Sequence, residues 1–162
     1  MDITKVANLI LYMIEKKVSI INDKKVSLLL FLIDFESLKT DGSKIFNDKY
    51  IKQARNPEPK VLTNIFEIIE NEDDLEEDDP NLYLIQELLD FVNIEIVKNK
   101  KFIELQFTKY EEDFDGSLFS KKEFLLIDTI LEKYKETTIR SLANNCFKID
   151  EVRQTPLGDI II

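Results

Sequence analysis

Six apolar residues in a row, Leu28 to Ile33, stand out from a chain in which apolar and polar positions otherwise interleave. Around them Val26, Leu29, Leu30, Ile33 and Leu38 keep helical spacing, which predicts a helix that needs cover on most of its sides. Its end is expected near Thr40, since Thr40-Asp41-Gly42-Ser43 is a compact turn signal in which Gly42 accepts a left-handed conformation. Upstream, Ile3, Val6, Ala7, Ile10, Ile14 and Val18 step by three and four, one helical face that Asp2 can cap. Asn22-Asp23 forms the turn between the two helices.

Beyond the central helix the periodicity weakens. Ile45 to Gln53 is expected to anchor in the core through Phe46 and Tyr50. Asn56-Pro57-Glu58-Pro59 cannot be helical at its centre, because each proline pushes the residue before it to extended geometry, so a stiff exposed loop is predicted. Helical spacing resumes from Lys60 to Glu70. The next ten residues, Glu70 to Asp79, carry eight carboxylates, whose self-repulsion predicts a solvated, mobile loop. The ligand spacing and mid-loop glycine of a calcium hand are absent there.

Asp79 and Pro80 suit a helix start, with Leu82, Ile85, Leu88, Leu89 and Val92 as its buried stripe. Ile94 to Val97 and Phe102 to Phe107 alternate around Lys98-Asn99-Lys100-Lys101, as a hairpin with one buried face does. Ser120 and Glu123 make a capping box before an apolar run, which predicts a helix from Lys121 to about Lys135. Thr137 or Thr138 caps a last helix, Ile139 to Asn145. For the tail, Gly158 to Ile162, an edge strand, a subunit contact and a free end all remain open. These elements add up to a predominantly helical α+β fold: about six helices around a central buried helix, with a small antiparallel β-hairpin. Residues 1–150 are expected as one domain and residues 151–162 as a C-terminal tail, with no internal repeat.

Composition narrows the chemistry. The chain has 162 residues, 44% hydrophobic and 33% charged, which suits an ordered domain with a sizeable core. It contains no histidine and one cysteine, Cys146, so an internal disulfide, a zinc site and the usual hydrolase triads are all excluded. The N-terminus lacks the order of a signal peptide, and no run approaches the about 20 apolar residues of a membrane helix, so a cytoplasmic protein without membrane contact is expected. The formal net charge of −10, with lysines scattered through every segment, makes nucleic acid an unlikely partner. A basic protein partner would be steered towards such a surface, although solubility alone also explains it.

Gly42, Gly116 and Gly158 are the only glycines, so no phosphate-binding loop exists. Among 32 acidic residues, chance carboxylate pairs are abundant. Asp34 and Glu36 end the apolar run, but residues two apart do not share a helical face, and a structural role is preferred, with Asp34 bonding to a backbone group of the following loop. The last two helices resemble a helix-turn-helix, yet a DNA reader needs basic residues on the second one, where only Arg140 and Lys148 are at hand. Packing explains them better, and neither an enzyme nor a cofactor is expected.

The order of the pieces nevertheless resembles one family, the Panacea domain proteins of bacteria and phages. Its L-x-x-x-D-x-x-x-L helix end, I-x-x-x-x-Y segment and Y-G-P-x-P loop correspond to Asp34, Phe35 and Leu38, then Ile45 and Tyr50, then Arg55, Asn56, Pro57, Glu58 and Pro59. Its later F-S-x-x-E-x-x-x-I-D run with a following tyrosine is matched by Phe119, Ser120, Glu123, Ile127, Asp128 and Tyr134. The likeness covers residues 2 to 147. Arg55-Asn56 replaces the usual Tyr-Gly, Asn145-Cys146 stands where a Ser-His pair is expected, and the tryptophan that often follows is missing.

The resemblance implies a non-enzymatic antitoxin, encoded beside a toxin and neutralising it by direct contact. Its alternatives are an adaptor that delivers the toxin to a protease and a DNA-binding regulator of a toxin-antitoxin or prophage locus. The partner surface is expected to involve Asp34, Tyr50, Arg55, Asn56, Pro57, Glu58 and Pro59 together with the acidic loop, because stiff loops lose little entropy on docking.

Overall fold

Most helices begin where a short polar side chain takes up free amide groups. In the computed structural model, which describes residues 1–162, Asp2 accepts from the Lys5 amide and opens α1 (Ile3–Glu15). Asn22 accepts from the Lys25 amide and opens α2 (Asp23–Asp41), which ends on Gly42 at φ 73°. The third helix, α3 (Lys60–Asn71), has Pro59 at its start and no capping side chain of its own. Asp79 caps α4 (Pro80–Phe91), Ser120 and Glu123 close a reciprocal box on α5 (Lys121–Tyr134), and Thr138 caps α6 (Ile139–Phe147). A short seventh helix, α7 (Asp150–Gln154), goes beyond the six expected.

The spine is α2. Every residue from Val26 to Phe35 is buried, Ser27 and Asp34 included, and α3, α5 and α6 all pack on it along with parts of both small sheets. That all-round cover is what an apolar run without a polar face requires. The fold is thus a predominantly helical α+β one, with seven helices and two two-stranded antiparallel sheets. No helix is long and apolar enough to cross a membrane.

Where a stiff exposed loop was expected, the chain forms a ribbon. Strand β1 (Tyr50–Lys52) pairs antiparallel with β2 (Pro57–Pro59), Tyr50 opposite Pro59 and Lys52 opposite Pro57. Both prolines are buried, and water reaches the ribbon fully only at its tip, Gln53 to Arg55. The prolines rule out a helix, but not burial. They stand at alternate positions opposite Tyr50 and Lys52, whose own backbone groups point away from β2, so no amide proton is wanted of them.

Those outward groups of β1 are taken up by the tail. Tyr50 N donates to Ile162 O (2.9 Å), Ile161 N to Tyr50 O (2.7 Å), Lys52 N to Asp159 O (2.9 Å) and Gly158 N to Lys52 O (2.8 Å). Residues 158–162 therefore line the free edge of β1, entered through Gly158 at φ 87°. The second sheet is the expected hairpin, β3 (Val92–Lys98) with β4 (Ile103–Lys109), in register from Val92 opposite Lys109 to Lys98 opposite Ile103. Leu105 and Phe107 turn inward from it.

Candidate functional site

Two buried carboxylates hold the segment that leads into the ribbon. Asp34 Oδ1 accepts from the amides of Ile45 (2.7 Å) and Phe46 (2.9 Å), and its Oδ2 accepts from the Tyr50 hydroxyl at 2.7 Å. Burial pushes the Asp34 carboxyl above the usual carboxylate range, against the pull of those three donors. Burial, and then the Asp34 charge, hold the Tyr50 phenol well above its ordinary value. Fourteen residues on from Asp34, Asp48 does for α3 what Pro59 cannot: its carboxylate accepts from the amides of Val61 and Leu62, each at 3.1 Å. A side chain outside the helix thus supplies the missing cap.

The ribbon held this way forms one wall of a groove of about 750 Å³. Ala54, Arg55 and Asn56 at the ribbon tip line it together with residues along α6 from Ile139 to Phe147, the start of α2 and the β3–β4 hairpin. Apolar walls are given by Leu28, Phe102, Ile139, Ala143 and Phe147. Phe102 remains 45% exposed at the rim, with the Lys24 ammonium 5.5 Å from its ring centre.

The groove differs in charge from the chain around it. Lys24, Arg55 and Arg140 line it, against Glu104 as the one carboxylate. Glu104 is already engaged by the side-chain amides of Asn22 (3.0 Å) and Gln106 (2.9 Å). Arg55 and Arg140 are exposed and take part in none of the ion pairs, whereas Arg153 is paired with Asp150. Behind the groove, buried Lys25 donates from Nζ to the carbonyl of Thr137. That contact ties α2 to the turn that opens α6, two residues before Ile139 in the groove lining. Burial lowers the pKa of Lys25, with the Glu136 charge working the other way.

Of the residues expected at a partner surface, Asp34, Tyr50, Pro57 and Pro59 lie beneath the surface as the frame of the ribbon. Arg55 is exposed, with Asn56 and Glu58 half-buried beside it. Asn56 donates from its side-chain amide to Glu58 at 3.1 Å, and burial raises the Glu58 pKa. The acidic stretch 72–79 is irregular and lies away from the groove lining. No local sequence signal marks Lys24, Phe102, Ile139 and Phe147 as groove residues. One signal was available: in a lysine-rich chain there are three arginines, and two of them converge here.

Comparison with known proteins decides the family. The model of the family described as "Antitoxin SocA-like, Panacea domain" matches residues 28–148. The chain belongs to the SocA-like antitoxin, Panacea domain family. Its Panacea domain runs from within α2 to the residue after α6, so the ribbon, the hairpin and nearly the whole groove lining fall inside the match. No curated protein and no solved structure matches the chain.

Proposed function

We propose that this protein is a non-enzymatic cytoplasmic antitoxin that neutralises a cognate toxin by binding it directly. The observation that carries this reading is the match to an antitoxin family over most of the chain. The chemistry of the surface agrees with it. The groove offers cations and apolar walls but no histidine, since the chain has none. The one thiol, Cys146, is buried, and burial pushes its pKa up to about 12, far from nucleophilic use.

The test is co-expression with the product of the neighbouring gene in a bacterial host. Growth arrest by that product alone, relieved by this protein, and a complex of the two on size exclusion are the expected results. A neighbour that is harmless, or an arrest that this protein does not relieve, would refute the antitoxin reading.

A further inference from the structure

We propose that the groove between the ribbon tip, α6 and the β3–β4 hairpin is the surface that reads the partner, and that it takes a polypeptide segment carrying carboxylates beside bulky apolar side chains. The inference rests on the antitoxin reading for the partner's identity, but not for the chemistry of the occupant. Arg55 from the ribbon tip and Arg140 from α6 both line the groove, exposed and without an ion pair, in a chain of net charge −10. A chain with 32 acidic residues, most of them outside the core, has carboxylates enough to neutralise two arginines, yet these two are left open. Glu104, the carboxylate nearest to hand, is held instead by two amides. A guanidinium fork is suited to planar, bidentate capture of a carboxylate.

The apolar walls exclude a purely ionic occupant. Phe102, Ile139 and Phe147 give the groove a lining that small ions do not use, and Phe102 leaves nearly half its surface to water. Apolar walls with a few fixed polar groups are what a peptide anchor with a neighbouring carboxylate fills. A nucleic acid also carries anions and flat apolar faces. It is disfavoured because half-buried Glu58 and Glu70 and exposed Glu67 lie close beside the groove, around a hollow that shares Lys24 and Asn56 with it. A single carboxylate approaches between them, whereas a phosphate chain crosses all of them.

Selection of phage-displayed random peptides on the intact protein tests the occupant without knowledge of the toxin. Peptides enriched in Asp or Glu next to Leu or Phe are expected. Their affinity should fall roughly a hundredfold for the double variant Arg55→Glu with Arg140→Glu, as expected when two charge pairs turn repulsive. Phe102→Ser should weaken them too, while Lys121→Glu, at the far end of α5, should not. Exchanging the critical peptide carboxylate for lysine should restore binding to the double variant. An enriched set without acidic bias, or equal binding by the double variant at an unchanged melting temperature, would overturn the proposal. So would selection of no peptide alongside salt-sensitive oligonucleotide binding that the same variants abolish. The toxin complex separates the two readings: if it forms and survives the double reversal, the groove is wrong and the antitoxin reading stands. If peptides behave as expected but no toxin is neutralised, the groove stands alone.

Discussion

Asp34 satisfies three buried donors with two oxygens, and that count sets what its replacement does. In Asp34→Asn the side-chain oxygen keeps both backbone amides, while the Tyr50 hydroxyl turns to the Leu30 carbonyl, already 3.2 Å away, and accepts from the new amide. The expected loss is about 1 kcal/mol. Asp34→Ala strands two backbone amides and weakens the hold on Tyr50, at a cost of about 3–5 kcal/mol. Urea denaturation of both variants checks the contrast, and equal losses would mean that water replaces the carboxylate. At the other end of the scale, Gly42 holds φ 73°, and nothing lies within 4 Å of the place a methyl group would take there. Gly42→Ala therefore meets no clash, only the left-handed backbone penalty of about 1 kcal/mol, readable as a lower denaturation midpoint at unchanged slope.

The ribbon is stable as an element only because it is not left as two strands. Alone, β1 and β2 span three residues each, too short to stand without cover. The tail adds four backbone hydrogen bonds to β1, and the Lys52 ammonium reaches the Thr155 carbonyl at 2.6 Å. Ending the chain after Leu157 is expected to cost about 2–4 kcal/mol and to speed hydrogen exchange at the Tyr50 and Lys52 amides, leaving that of Ile51, which faces β2, less affected. Equal protection at all three amides in the shortened chain would show that the tail lies against β1 without supporting it. Local signals made α2 with its Gly42 stop, the Ser120–Glu123 box and the hairpin legible, because each is written within a few neighbouring residues. The ribbon and the tail were not, since each is closed by partners outside its local stretch, Lys52 with Asp159 and Asp48 with Leu62, and neither was the groove, whose lining draws together residues as far apart as Arg55 and Arg140. The prolines illustrate the limit. Their veto on helix is local and held, whereas their burial depends on which way the groups of β1 point, and that is decided by residues more than a hundred positions on.

At the scale of the whole molecule, the carboxylates whose pKa values are shifted fall into two sets with opposite pH dependence. Burial raises the pKa of Asp23, Asp34, Glu58 and Glu70. Hydrogen bonds from Lys16 and then Tyr12 lower that of Asp128, the hydrogen bond from Lys16 lowers that of Glu132, and hydrogen bonds from Lys109 and Ser117 lower those of exposed Asp113 and Asp115. For the raised set, the folded chain holds protons that the unfolded chain has already lost, between the ordinary values of 3.8 and 4.5 and the raised ones. Stability therefore falls as pH rises through that window and grows as pH is lowered into it. The lowered set contributes stability that disappears only when pH drops through its depressed folded values. Of the two, the raised set weighs more, because its buried members Asp23 and Asp34 escape the screening that blunts surface pairs, and acid also relieves the repulsion of a net charge of −10. The melting temperature is thus expected to pass through a maximum on the acid side of neutrality. Asp34→Asn, having one buried carboxylate fewer, should show a shallower rise towards that maximum. Melting curves that decline steadily from neutral pH downward, in both proteins alike, would mean that the lowered set of Asp113, Asp115, Asp128 and Glu132 outweighs the raised one.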